Sequence, residues 1–270
     1  MTIQAPLPAP PGPPVTGFSV VTFNVPGNNL QNSVLDGFTI TGGTGTPQQA
    51  GSFTIGGGIL ILDAMPTIRN CVIQGNSTNG PVASAHGAGI YAEHPYSGGP
   101  ATLLVGPGVR IENCRIEGNG AGGSGGGIFT STIQTSITNC QIRGNDADLD
   151  GAGILVDGFA DQSPATYVPV QILQCQVEDN TALRLGGGIK SQEGGDPLVE
   201  DCEITGNVAD TGGGVMVDSS RVTLRSSAIL LNTGAVGGGG IHDGRAHGSE
   251  REQLDPELYD RAEHDRSTAG

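Results

Sequence analysis

The sequence predicts an all-β chain wound as a parallel solenoid of about seven turns, and three observations carry that reading. A heptapeptide recurs as NCVIQGN at 70 to 76, NCRIEGN at 113 to 119, NCQIRGN at 139 to 145, QCQVEDN at 174 to 180 and DCEITGN at 201 to 207. Degenerate copies stand at GFTITGG from Gly37 and SSAILLN from Ser226. A small-residue triad followed by a β-branched residue alternates strictly with it, ending at Ile59, Ile90, Ile128, Ile154, Ile189, Val215 and Ile241. Within each copy apolar residues recur with period two, as in Cys71 and Ile73 or Ile59 and Ile61, which is the spacing of a strand.

Fixed self-similarity changes the meaning of every residue, because a repeat buries its apolar face only against its neighbours. With Phe38, Cys71, Cys114, Cys140, Cys175, Cys202 and Ser227 equivalent, the steps are 33, 43, 26, 35, 27 and 25 residues. About 25 residues thus make one turn. Ile68, Ile111, Ile137, Ile172 and Val199 lie three before each Cys, an odd offset that breaks the alternation and demands a bend. The Gly triads suit corners that need positive φ or close backbone approach.

Composition agrees and narrows the function classes. The 270 residues include 47 Gly and 17 Pro, with 27 acidic against 12 basic side chains and a net charge of −15. That charge repels phosphate backbones and anionic lipid, so nucleic acid is not an expected partner. No apolar run is long enough for membrane insertion, and the N-terminus lacks the basic start and apolar stretch of an export signal. Residues 1 to 33 read as a Pro-rich segment with a lead-in strand at 18 to 25, residues 34 to 244 as the solenoid, and residues 245 to 270 as an acidic tail, either disordered or a short capping helix.

All five Cys occupy one repeat position and therefore stack in one column. Neighbouring turns sit ~4.8 Å apart with parallel side chains, whereas a disulfide wants Cβ atoms at ~3.8 Å and converging vectors. Free buried thiols are expected, and no C-x-x-C spacing suggests zinc. Asn76, Asn119, Asn145, Asn180, Asn207 and Asn232 recur at a corner, where stacked amides donate to one turn and accept from the other. Glu117, Arg143 and Glu178 alternate in sign at one outward position, a surface ladder worth about 0 to 1 kcal/mol per pair.

The repeat pattern, I-x-x-N followed by G-G-G-I, resembles right-handed parallel β-helix repeat proteins of the pectin-lyase-like superfamily and the short repeats of bacterial surface and autotransporter passenger domains, over residues 35 to 243. The resemblance implies a right-handed coil and an extracellular or cell-surface location, with a polysaccharide or cell-envelope component as partner. Sugar hydrolases and lyases of that superfamily carry clustered Asp, or Arg and Lys near calcium. No such cluster is present here.

Chemistry is expected where the repeat is interrupted, since function on repeat scaffolds concentrates in loops on one face. The gap from the triad's β-branched residue to the next Cys position lengthens after Ile90 and again after Ile154, two turns apart on one column. The insertions either wall a groove about 10 Å wide or fold down over Phe129. In the groove reading Tyr91 and Phe129 form an aromatic floor, continued by Leu155, Leu60, Lys190, Met216 and His242. His94, Tyr96, Phe159 and Asp161 line the walls, a set suited to sugar rings and hydroxyls. Glu93 and Asp157 fall at equivalent positions two turns apart, near the ~6.5 to 9.5 Å that separates the acid and base of inverting glycosidases.

DADLDG at 146 to 151 matches the start of a calcium loop, with Asp146, Asp148 and Asp150 as ligands. Calcium is the one cofactor the motifs suggest. Yet Asp157, the twelfth position, lies on a repeat strand and cannot curl back, so an acidic corner is the plainer reading. Two functions follow: a non-catalytic extracellular or cell-surface scaffold with a carbohydrate or adhesion surface, or a polysaccharide lyase or glycoside hydrolase using Glu93 and Asp157 in the groove.

Overall fold

Every turn of the chain repeats one sequence of strands and bends, and the reasons are local. In the turn around Cys140, Thr135–Thr138 runs to Asn139, whose φ of 52° bends the chain before Gln141–Arg143 begins. Gly144, at φ 57°, makes the next bend and delivers Asn145 to the corner ahead of Asp146–Ala147. The Gly151 triad then turns the chain into Ile154–Asp157. The computed structural model describes residues 2–4, 18–24, 33–48, 53–79, 84–94, 108–158 and 169–244.

Stacked turns form four parallel ladders: seven strands before the Cys, eight after it, six short strands after the Asn and eight after the triad. A three-stranded sheet beside the first turns contains the antiparallel pair Thr46–Gln48 and Phe53–Ile55. All secondary structure among the described residues is strand, as the repeat predicts. Val21–Asn24 pairs in parallel with Ile59–Leu62, and Thr2–Gln4 with Thr39–Thr41.

Register follows the repeat without slippage in the core columns. Ile116, Ile142, Val177 and Ile204 pair in succession, as do Ile128, Ile154, Ile189 and Val215. These side chains are wholly buried, each contributing about 1.5 to 3 kcal/mol. No single turn could bury them alone.

The thiols behave as the spacing requires. Cys71, Cys114, Cys140, Cys175 and Cys202 are free and buried in the same core cluster. Cys140 Sγ donates to Thr138 O at 3.3 Å and to Ile111 O of the preceding turn at 3.5 Å, a pattern repeated along the column. Contact with the thiols of Cys114 and Cys175, together with burial, holds the Cys140 thiol far above the ordinary thiol range.

Asparagines fix the rise from turn to turn. Asn145 Nδ2 donates to Asn180 Oδ1 at 2.9 Å and to Ile116 O of the preceding turn at 3.0 Å. Its own Oδ1 accepts from Asn119 Nδ2 at 3.0 Å and from Asn119 N at 3.1 Å. The same bonds link Asn76, Asn119, Asn145, Asn180, Asn207 and Asn232 in one ladder, buried as far as Asn207 and half-buried at Asn232. Opposite this corner sits the third triad residue, where a Cβ on Gly153 would lie 2.4 Å from Gly188 O and 3.1 Å from Asn180 Nδ2. The two recurring motifs are therefore halves of one packing solution. On the surface, Arg143 Nε reaches Glu117 Oε2 at 3.3 Å, and Arg143 pairs in register with both Glu117 and Glu178.

Replacing Asn145 by Ala strands donors and acceptors on the turns to either side, so it should cost about 3 kcal/mol of stability. Urea unfolding of the variant beside the parent measures this, and matching midpoints would show that the ladder does not hold the turns.

Candidate functional site

Outward positions of the ladder after the triad carry Tyr91, Phe129, Glu93, Asp157 and Lys190. Residues at the second strand position stack as Leu60, Tyr91, Phe129, Leu155, Lys190, Met216 and His242, in the predicted register. Their exposure goes against the open-groove arrangement and with the covered one: Tyr91 is 5% exposed and Phe129 8%. These rings do not form an open aromatic floor.

The cause is the first triad glycine. Its positive φ, 64° at Gly87 and 72° at Gly125, swings the preceding chain across the outer face of the strand that follows. A Cβ on Gly125 would lie only 2.7 Å from Phe129 Cβ. His86 consequently packs on Phe129 with ring centroids 5.3 Å apart, while Tyr91 and Phe129 stack at 4.9 Å and 12°. Ile55, Leu60, Tyr91, Phe129 and Leu155 make a second apolar core, flanked by Phe53 and Leu62.

Polar chemistry lies one alternation further along the strands. Leu62, Glu93, Ser131, Asp157, Gln192 and Asp218 stack in register, bringing Glu93 and Asp157 onto one row with Ser131 between them. Their backbones stand two turns apart, about 10 Å at the ~4.8 Å strand spacing. Tyr91 Oη donates to Glu93 Oε2 at 3.0 Å. Gln192 Nε2 and Ser131 Oγ donate to Asp157 at 2.8 Å and 3.1 Å. Burial raises the Glu93 carboxyl above its ordinary 4.5, opposed by the Tyr91 donor and assisted by the Asp157 charge. Burial likewise raises Asp157, opposed by Gln192 and Ser131. At the end of the row His94 Nδ1 pairs with the Asp63 carboxylate, and Thr132 Oγ1 donates to His94 O at 2.7 Å. The row thus gathers Glu93, Asp157 and His94, whereas Tyr96, Phe159 and Asp161 lie outside the described residues.

Asp146, Asp148 and Asp150 do not come together as a cation site. Asp146 and Asp148 are exposed, Asp150 is buried, and no group of three such side chains among the described residues could hold a metal. Asp150 instead meets a residue outside the expected cation site: Lys190 Nζ donates to its Oδ2 at 2.8 Å. The signal was present but unread. Asp150 immediately precedes a triad and Lys190 is the second residue of the strand that follows the next triad, and the crossing of chain over strand joins those two positions.

The family model described as right handed beta helix region matches residues 19–166, more than half of the chain. This chain belongs to the right-handed β-helix family. Searches of curated proteins and of solved structures found no match. Membership gives the coil its hand, which strand spacing alone could not, and the parallel ladders of this β-helix continue in the same register to Ile241–Asp243, beyond the matched region.

Phe129→Ala opens the second core and should lower stability by about 3 kcal/mol; a thermal melt checks this, and an unchanged transition would mean the ring carries no packing. For Glu93 the folded carboxyl titrates above its unfolded value, so it disfavours folding at neutral pH and ceases to do so as pH falls through that range. Glu93→Gln should therefore equal or exceed the parent in melting temperature at pH 7 and lose that advantage at pH 4. A constant difference across the range would contradict the assignment.

Proposed function

We propose that this β-helix is a non-catalytic domain that works outside the cell or on its surface, as a rigid spacer and as a face for carbohydrate or adhesion contacts. The observation that carries the reading is the unbroken register of its core ladders, in which side chains at the same repeat position satisfy one another from turn to turn. Such a stack resists bending and presents its outward rows at a constant interval. The row of Glu93, Ser131, Asp157, Gln192 and Asp218 is the face we assign to a polysaccharide or cell-envelope partner, through hydrogen bonds to hydroxyls rather than through ring stacking. The location rests on the resemblance of the repeats to those of bacterial surface proteins.

One observation favours a second reading, a polysaccharide hydrolase or lyase. Glu93 and Asp157 share a row, and burial raises both carboxyls, a condition that suits proton transfer. A panel of neutral and acidic polysaccharides, assayed for reducing ends and for unsaturated products, separates the two. The scaffold reading expects retention of some glycans without turnover by the parent, Glu93→Gln or Asp157→Asn. Turnover by the parent that both substitutions abolish would replace it with the enzymatic one.

A further inference from the structure

We propose that Lys190 and Asp150 condense into an amide bond, a covalent staple between successive turns of the helix. The pair is already assembled for it. The Lys190 side chain is 3% exposed and that of Asp150 12%, with Nζ and Oδ2 at 2.8 Å. Lys190 lies in register between Leu155 and Met216, both buried, so its side chain occupies a row position with apolar neighbours on both adjoining turns. Asp218 Oδ2 lies 3.9 Å from the same nitrogen, and its side chain is 43% exposed. Arg184 Nε stands 4.0 Å from Asp150 Oδ1, an oxygen that is buried without a hydrogen-bond partner.

As an ion pair this arrangement is poorly compensated. Removing an ammonium and a carboxylate from water costs more than their attraction returns unless the remaining donors and acceptors are satisfied, and Oδ1 is not. Condensation abolishes both charges and turns Oδ1 into an amide oxygen. Reacting atoms about 3 to 3.5 Å apart are in near-attack range, and an amine hydrogen-bonded to one carboxyl oxygen is already close to that distance from the carbon between the two. Exclusion of water keeps the amine unsolvated.

The steps balance with the residues present. A proton passes from the Lys190 ammonium to Asp150 Oδ2 along their hydrogen bond, leaving a neutral amine and a carboxylic acid. The nitrogen lone pair forms a bond to Cγ, and the electron pair of the C=O bond moves to Oδ1, where Arg184 offsets the charge. Asp218 accepts the second nitrogen proton and returns it to the Oδ2 hydroxyl. The Cγ–Oδ2 bond breaks, water leaves, and the pair on Oδ1 restores the double bond. One proton remains on the amide nitrogen, and Asp218 is regenerated as a carboxylate.

Asp150 is followed by Gly151, a pair prone to cyclise on itself with the same loss of water, but Gly151 N donates to Leu185 O at 2.8 Å and is held away from that reaction. The bond would close a separation of 40 residues and fasten the Ile154 turn to the Ile189 turn.

The test is the intact mass of the purified full chain, denatured after folding, followed by tandem mass spectrometry of its peptides. The expected result is a mass lower by one water, with fragments that join the Lys190 and Asp150 peptides, and the full sequence mass in Lys190→Arg and in Asp150→Ala. Asp218→Asn should link about 100-fold more slowly, or not at all, while keeping the β-sheet circular dichroism of the parent. The proposal is overturned if the parent retains its full mass after prolonged incubation. It is equally overturned if the water is lost within the Asp150–Gly151 peptide alone and persists in Lys190→Arg. Linking at the parental rate in Asp218→Asn would remove Asp218 from the reaction.

Discussion

The buried amide ladder is the constraint on which the rest of the molecule depends. A corner of backbone inside a solenoid exposes N–H and C=O groups that no water can reach, and an unsatisfied one costs about 1 to 3 kcal/mol. The asparagine at each corner meets that demand three ways, through the next amide oxygen, the carbonyl of the preceding turn and the backbone N–H above it. Only a neighbour at the same height and in the same register completes the set. Registers of the thiols, of the inward isoleucines and of the outward rows are all consequences of that match.

The glycines complete the constraint from the opposite side. The third triad position has no room for a side chain because the amide and a carbonyl of the next turn already fill the space, as at Gly153. The first position has a different role. Its left-handed conformation carries the chain back over the outer surface, which converts one outward row from a solvent-facing stripe into a second core and leaves the following row as the polar one. Two outward rows on the same strands thus have opposite character, though strand alternation alone would treat them alike.

Functional chemistry on such a scaffold resides where a row departs from apolar uniformity. Tyr91 belongs to the second core through its ring and to the polar row through its hydroxyl, which makes it the physical link between the two. Lys190 is the other departure. Its ammonium occupies a position that holds Leu155 on one neighbouring turn and Met216 on the other, and it meets a carboxylate delivered by the chain ahead of Gly151, the equivalent of the chain ahead of Gly87 that covers Phe129. Geometry imposed for packing has therefore assembled reactive groups that lie far apart in the chain.

How much was legible in the residues can be judged from particular cases. Five cysteines at one repeat position were enough to place every thiol in a single column, because strand periodicity and a regular turn leave them no other arrangement. The asparagines and the alternating Glu117, Arg143 and Glu178 were legible for the same reason. For Phe129 the residues left an open groove floor and a covered position equally possible, since period two gives direction from the strand axis and says nothing of what another segment lays over it. Asp150 was read with Asp146 and Asp148 because they adjoin in sequence, while the fold turns its carboxylate toward Lys190. The sequence by itself determined the repeat, its register and the inward columns, which follow from local spacing. Burial of the outward rows and the meeting of Asp150 with Lys190 were decided only by the tertiary structure, because both depend on where a left-handed glycine sends the chain in space.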